Sequence, residues 1–329
     1  MVNSTARVIR VAEHGDASAL QATNIPRPVP NPTQVLVKVA YAGVNYIDVS
    51  ERSGKYPTPA PLIPGREGSG EIVEVGSEVQ GGFKVGDKVA FLGQNTYADF
   101  VAVDTIHLAK LPDHVSLETG AAFILQGLTA VGLVRKGYNV QKGDWIVVHA
   151  AAGGVGLLLS QLGRLLGAHV IGTVSTEEKA AIARANGAEH VVVINKGYET
   201  LEKKVNELTN GQGVHAVFDS VGEATFESSL NVVRRLGTLV LFGSASGQVP
   251  PLNVIRLAGK NVKLTWTTLY NYITTREEFE ELYNESIEFV EKGQLKVEIS
   301  KVYAFEDVQQ VHLDLEGRKT TGKLLIKIQ

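Results

Sequence analysis

Beyond Asp144 the chain alternates repeatedly between short apolar runs and amphipathic stretches of helical period, and this restricts the fold more than any other feature. The apolar runs fall at 145–149, 169–174, 191–194, 214–219, 238–242 and 262–265. Helical stretches lie between them: one starts at Gly154, and others cover 177–186, 200–208 and 224–234. Strands joined by helical crossovers lie parallel in one sheet with helices on both faces. Six strands of this kind predict a doubly wound sheet.

Between the first strand and the first helix stands His149-Ala-Ala-Ala-Gly-Gly-Val-Gly156. Val155, Leu158, Leu159, Leu162, Leu165 and Leu166 recur at helical spacing, so a helix with one apolar stripe starts at the glycines. Against the pattern G-x-G-x-x-G the chain reads Ala151-x-Gly153-x-x-Gly156. Such a strand, turn and helix predict a Rossmann dinucleotide site, with Ala152, Gly153, Gly154 and Val155 approaching a pyrophosphate. The plainer alternative is a flexible turn between two core elements. The next strand ends Thr173-Val174-Ser175, without the carboxylate that grips a free ribose 2′-hydroxyl in NAD enzymes. Ser175, Lys179 and, past the third strand, Lys196 suit a 2′-phosphate, so the expected coenzyme is NADPH. Two alternatives stay open here: Ser175-x-x-Glu178 as a capping box, and Glu177 as a ribose ligand for NAD.

The first third reads as β-structure, with runs at 35–40, 70–75, 88–92 and 98–103 set off by Gly, Pro and Asp. Four prolines within 26–32 force an extended connection. After the alternating series come a helix at 276–292, a strand at 296–299, a helix at 305–316 and a strand at 323–328, which are expected to return to the first domain. The 329 residues suffice for about two domains. Net charge is −3, with 32 Lys and Arg against 35 Asp and Glu, which provides no overall field for nucleic acid or anionic lipid. The absence of cysteine removes disulfides, a thiolate nucleophile and thiolate-bound zinc. Neither a leader pattern nor an apolar run of the ~20 residues a membrane span needs is evident. A soluble cytoplasmic protein, with nuclear access left open, is the expectation.

Six segments carry a family resemblance: Gly43-Val-Asn-Tyr-Ile-Asp48, Pro64-Gly-Arg-Glu-Gly-Ser-Gly70, Gln126-Gly-Leu-Thr-Ala130, Ala150 to Gly156, Phe218-Asp-Ser-Val-Gly222 and Leu269 to Arg276. In these the chain resembles the medium-chain dehydrogenase/reductase superfamily, specifically its quinone oxidoreductase (zeta-crystallin-like) branch. The resemblance implies a β-rich GroES-like catalytic domain split around the Rossmann domain, with boundaries at 1–125, 126–265 and 266–329, and a homodimer. It also implies that no metal is used: where the family's zinc enzymes carry a ligand His before Glu67, this chain has Arg66, and a guanidinium cannot ligate a cation.

By the same resemblance Asn45 sits at the acceptor end, as a hydrogen-bonding group or simply as the cap of the turn after Gly43. Tyr46 and Tyr56 are candidate pocket or proton-donating residues, with ordinary core packing as the alternative. Ser50 stands where this branch commonly has a tyrosine. Gln126 and Thr129 match the nicotinamide end. Ser220, Phe242 and Ser244 fall at strand ends, where the fold places ligands; Leu269 and Tyr270 would close over the nicotinamide, and Arg318 would reach the phosphates. The implied reaction is hydride transfer from NADPH to a quinone, an acceptor electrophilic enough to react without a Lewis acid. Two other readings are reduction of the carbon–carbon double bond of an enone or alkenal, and a nucleotide-binding RNA-binding or redox-sensing protein with little catalysis.

Overall fold

Strand β3 (Gln34–Val44) is the spine of the first half of the chain, and its Val35, Val37 and Val39 are completely buried. The structure, a computed structural model, describes residues 5–194, 197 and 199–329, so Lys196 lies outside the described residues. Ahead of β3, β1 (Thr5–Val11) and β2 (Leu20–Pro26) form an antiparallel hairpin that the sequence pattern did not announce. Behind it come α1 (Tyr46–Arg52), β4 (Glu67–Val75), β5 (Lys88–Leu92), β6 (Phe100–Asp104), β7 (Leu108–Lys110) and α2 (Leu117–Gly132). A five-residue π-helical segment, Leu133–Gly137, prolongs α2. The resulting 21-residue helix is long and apolar enough by composition to cross a membrane, but two-thirds of its most apolar window is buried in protein.

The alternating series folds as a doubly wound sheet. Its strands are β8 (Trp145–Val148), β9 (His169–Val174), β10 (His190–Val193), β11 (Val214–Asp219), β12 (Val233–Leu241) and β13 (Lys263–Trp266). All pairings are parallel, in the order β10-β9-β8-β11-β12-β13. The helices α3 (Gly154–Leu165), α4 (Glu177–Ala185), α5 (Glu199–Leu208) and α6 (Phe226–Val232) are its crossovers. Buried Leu157, Leu158, Leu159 and Leu162 carry the packing of α3, whereas Leu165 is exposed at its end. The helix expected over 224–234 stops at Val232, because Val233 already pairs with Val214 at the start of β12. The left-handed Leu236 then shifts the register, so that Ala216 meets Thr238.

After α7 (Arg276–Glu291) the chain adds β14 (Ile299–Ala304), α8 (Val308–Glu316) and β15 (Lys323–Lys327). Strand β15 pairs antiparallel with β3, and β14 parallel with β15, closing a seven-stranded path β14-β15-β3-β4-β5-β7 with β6 on β3. The strand expected at 296–299 therefore starts where that stretch ends. In β14 only Tyr303 is buried, so no alternation marks it. Contacts divide the chain into two units, residues 5–126, 273–283 and 297–329 in one, 127–272 and 284–296 in the other.

In the first unit α1 turns charged residues inward. Arg52 is 1% exposed and grips Glu316 of α8 through two hydrogen bonds of 3.0 and 2.9 Å. One turn earlier, Asp48 accepts the Tyr97 hydroxyl at 3.0 Å, and the same hydroxyl lies 3.4 Å from His312 Nε2 of α8. Burial pushes Asp48 up to about 7. Burial, with Arg52 adding to it, pulls His312 down to about 3. A carboxyl that holds its proton more tightly when folded costs stability as pH rises from about 4 to 7. A histidine that refuses its proton when folded costs stability as pH falls from about 6.5 to 3. The two slopes oppose each other between about pH 4 and 6.5, so urea unfolding of the wild type should change little there. Asp48→Asn should unmask stability that rises with pH, and His312→Gln stability that falls with pH, each by up to about 1.4 kcal/mol per pH unit. Flat profiles in both variants would refute the opposed titrations.

Candidate active site

The glycine turn follows β8. Ala150 takes the left-handed conformation at φ +49°, and its carbonyl accepts the Gly153 amide at 2.8 Å. Gly153 is the residue before α3, with φ −82° and ψ 168°. The first amides of such a helix have no acceptor within it and carry a partial positive charge. The two glycines serve different needs. A Cβ at Gly156 would be driven into the Ala150 carbonyl, so this glycine seats the helix on the turn. A Cβ at Gly153 would meet only that carbonyl, at 3.2 Å, so its open side admits a ligand's phosphates rather than protein. Gly172 in β9 closes the arrangement, since a Cβ there would lie 2.8 Å from Ala151 Cβ. The cradle fits a dinucleotide.

The other expected contacts in this unit lie at the same, C-terminal ends of the parallel strands. Ala152, Gly153, Gly154 and Val155 line the turn after β8, Ser175 follows β9, Ser220 follows β11, and Phe242 and Ser244 follow β12. The turns after β11 and β12 are tied together: Phe242 N–H donates to Asp219 O at 2.9 Å and Ser246 N–H to Val221 O at 2.8 Å. Ser175 does not cap α4. Thr176 does, its hydroxyl accepting the Lys179 amide at 3.3 Å, because Thr176 is the residue with extended backbone directly before the helix. This corrects the capping-box reading and leaves Ser175 exposed beside half-buried Lys179. Thr129 is half-buried in α2, and Leu269 and Tyr270 are half-buried in the single 3-10 turn Leu269–Tyr272.

Beneath the strand ends runs a polar chain that sequence reasoning missed. Asp219 is fully buried and accepts from the amides of Val221 and Gly222 and from the hydroxyls of Thr225 and Ser229, at 2.7–3.1 Å. Because the Ser229 hydroxyl donates to Asp219, it must accept from His149 Nε2, 2.9 Å away. His149 Nδ1 then accepts from the Thr173 hydroxyl at 2.9 Å. Burial holds His149 below its ordinary pKa, with Asp219 opposing. The ends of β9, β8 and β11 are thus locked by one directed row of hydrogen bonds.

The first unit holds a second polar cluster, at the meeting of β3, β4 and β15. Asn45 follows β3, Glu67 opens β4 and Lys323 opens β15. Asn45 Nδ2 donates to Glu67 at 2.6 Å, and Gln126 Nε2 donates to Asn45 Oδ1 at 3.1 Å. Lys323 is 1% exposed; its ammonium donates to Asn45 Oδ1 at 2.9 Å, to Val44 O at 3.1 Å and to the Glu67 carboxylate. Glu67 also takes the Leu125 amide at 2.8 Å. Asn45 precedes α1, but its side chain is spent in the cluster, and Asp48 caps the turn by accepting the Asn45 N–H at 2.8 Å. Asn45 and Gln126 are therefore brought together, with Glu67 and Lys323 as partners the sequence did not single out. Tyr46 is half-buried at the start of α1. Ser50 donates its hydroxyl to Tyr46 O at 3.2 Å. Tyr56 lies on the following turn and is 45% exposed. Arg318 is exposed on the turn after α8.

Comparison with known proteins bears on this pair of sites. Residues 31–113 match the family model of the alcohol dehydrogenase GroES-like domain, and residues 154–288 that of zinc-binding dehydrogenases. A Schizosaccharomyces pombe protein named probable quinone oxidoreductase is 41% identical over 320 residues, 97% of this chain and 96% of its own. Among solved structures, a mycobacterial protein complexed with NADPH superposes with a TM-score of 0.95 at 39% identity, covering 98% of this chain and 99% of that one. The Escherichia coli quinone oxidoreductase complexed with NADPH gives 0.93 at 36% identity with the same coverage. The chain belongs to the quinone oxidoreductase branch of the medium-chain dehydrogenase/reductase superfamily.

One of the two family models is named for zinc, and the residues present do not fit that metal. The chain has no cysteine. No group of three or more His, Asp or Glu that could hold a metal occurs among the described residues. Arg66, at the position of the family's ligand histidine, is paired through its guanidinium with buried Glu51, which also accepts the Thr58 hydroxyl at 2.9 Å. The neighbouring Glu67 carboxylate is already occupied by Lys323.

Removing the Asp219 carboxylate would leave the Val221 and Gly222 amides and the Ser229 hydroxyl without their acceptor, each costing about 1–3 kcal/mol, while the Thr225 hydroxyl keeps the Gly222 carbonyl. Asp219→Ala should therefore lower unfolding stability by about 3 kcal/mol or more. Urea denaturation checks this, and a loss within about 0.5 kcal/mol, the size of a neutral surface change, would refute it.

Proposed function

We propose that the protein is an NADPH-dependent oxidoreductase that reduces quinones. The observation that carries this reading is the cradle at Gly153, in a chain whose full-length relatives are named for quinone reduction and whose solved relatives include NADPH complexes. When bound, reduced nicotinamide supplies a hydride, which with one proton converts a quinone to a hydroquinone. The amides of Gly154 and Val155, with Ala152 and Gly153 beside them, take the pyrophosphate. Ser175 and Lys179, with Lys196, take the 2′-phosphate. Ser220, Phe242 and Ser244 meet the coenzyme at the strand ends, while Thr129, Leu269 and Tyr270 orient the nicotinamide. In the other unit Asn45 hydrogen-bonds the acceptor, Gln126 supports it, and Tyr46 and Tyr56 offer hydroxyl protons. Arg318 adds a cation for the phosphates. No step passes through a metal.

A homodimer is part of the same reading. Strand β13 is an edge of the six-stranded sheet, and Trp266 on it is 54% exposed, with Val254 and Ile255 nearby in sequence 73% and 69% exposed. An unpaired edge flanked by large apolar side chains favours pairing with a second copy. Light scattering should give twice the 35.3 kDa chain mass, and Trp266→Glu with Ile255→Glu should give the monomer. A wild-type monomer at micromolar concentration would end this part of the proposal.

The coenzyme reading is tested by two glycine substitutions. Gly153→Ala should leave the melting temperature nearly unchanged yet weaken NADPH binding by about tenfold or more, about 1.4 kcal/mol. Gly156→Ala should lower stability as well, by roughly 1–3 kcal/mol, because its methyl meets backbone. NADPH fluorescence titration and calorimetry separate the two. Turnover is measured with NADPH and NADH against quinones and enones, with a chelator control. Preference for an enone would replace the quinone assignment, and no nucleotide oxidation with any acceptor would overturn it.

A further inference from the structure

The cluster around Lys323 is more elaborate than a hydrogen-bonding asparagine requires. Three strands distant in sequence bring an ammonium and a carboxylate, both essentially without solvent exposure, onto one amide. The site is built for this: a side chain at Gly43 would collide with the Glu67 carboxyl group, so the glycine makes room for it over β3. The three N–H bonds of Lys323 are matched by three acceptors, Val44 O, Asn45 Oδ1 and Glu67. Glu67 in turn receives Lys323, Asn45 Nδ2 and the Leu125 amide.

This arrangement fixes the chemistry of the Asn45 amide. Its oxygen receives both Lys323 and Gln126, so both lone pairs are engaged. One of its two N–H bonds goes to Glu67. Turning the amide over would set its NH2 against the ammonium and the Gln126 NH2, and its oxygen against a carboxylate, so this orientation is the only one the neighbours accept. A single N–H remains. Asn45 can donate to a ligand and cannot accept from one. The ammonium on Oδ1 also withdraws electron density from the amide, which strengthens the N–H on its far side.

We propose that Lys323 is a positioning residue: it orients and polarises Asn45 into an obligate hydrogen-bond donor for an acceptor oxygen that gains negative charge as hydride arrives. The proposal rests on the quinone-reductase reading and deepens it, because a carbonyl or quinone oxygen satisfies such a donor and a hydroxyl seeking an acceptor does not. It assigns to a cation of the last strand a task on the residue directly after the third, with Glu67 as the counter-charge that lets the ammonium be buried.

The test compares wild type, Asn45→Ala, Lys323→Met, Lys323→Arg, Glu67→Gln and the double variant Lys323→Met/Glu67→Gln. Lys323→Met strands a buried carboxylate, so a loss of activity there could reflect unfolding alone. The double variant removes both charges and keeps an amide oxygen for the Asn45 N–H, so its melting temperature should lie above that of Lys323→Met, and Glu67→Gln alone, with Lys323 in place, is the reference for what the carboxylate contributes. If Lys323 positions Asn45, the double variant stays about tenfold or more below Glu67→Gln in kcat with a quinone, while KM for NADPH moves less than about threefold. Asn45→Ala should lose at least as much, and Lys323→Arg should recover part of kcat. Asn-selective 15N labelling gives a readout independent of turnover: the side-chain amide signal missing from Asn45→Ala should shift between Glu67→Gln and the double variant. A double variant that is stable and as active as Glu67→Gln, or an unmoved Asn45 signal, would overturn the role of Lys323 and leave the quinone reading standing. A wild type that oxidises no NADPH with any quinone would sink that reading and the proposal with it.

Discussion

Backbone amides left without partners are the constraint around which the nucleotide unit is arranged. A helix that starts directly beyond a parallel strand exposes its first N–H groups on one side only, and every element nearby serves to keep that side open. Gly156 allows α3 to sit against the Ala150 carbonyl, and Gly172 clears β9 from Ala151. The row Thr173–His149–Ser229–Asp219 locks the strands beneath the turn from inside, with neutral donors and one carboxylate rather than with a counter-ion. The turn is therefore held in shape from below while its upper face stays free for phosphate.

The GroES-like unit handles polarity in the opposite way. It buries charges, wholly or partly, in pairs: Arg52 with Glu316, Arg66 with Glu51, Lys323 with Glu67. Such pairs rarely add stability over a hydrophobic replacement, and their usual value lies in fixing one geometry. Here the geometry concerns α1. The helix is only seven residues long, and without Asp48 at its first turn, Arg52 bound to α8 and Asn45 bound into the strand cluster it would have little to hold its orientation. A metal centre would organise the same region through its ligands; this chain organises it with ammonium, guanidinium and carboxylate groups.

The parallel sheet was legible because its inner strands β8, β9, β11 and β12 are largely buried on both faces and each crossover helix has one apolar side, so periodicity and burial coincide. Legibility failed where they part. Arg234 and Arg235 continue the helical pattern of α6, yet Val233 finds a strand partner in Val214 and the chain obeys the sheet. Strand β14 exposes nearly all its side chains, and the β1–β2 hairpin is joined by a loop without a recognisable two-residue turn, so neither stands out from its surroundings. Ser175 and Thr176 are chemically equivalent as caps, and only the observed backbone selects the threonine. The long apolar helix from Leu117 carries the composition of a membrane span and is a mostly buried core helix.

Local sequence determined the glycine turn, the order of strands and helices that surrounds it, and the exclusion of thiolate chemistry, since each depends on residues adjacent in the chain or on composition. Tertiary structure alone decided the company of Asn45. Glu67 lies 22 positions away and Lys323 lies 278 away, and they meet because β4 and β15 flank β3 in the sheet. Strand pairing sums hydrogen bonds along whole ladders, and no local pattern records which distant ladder a strand will join.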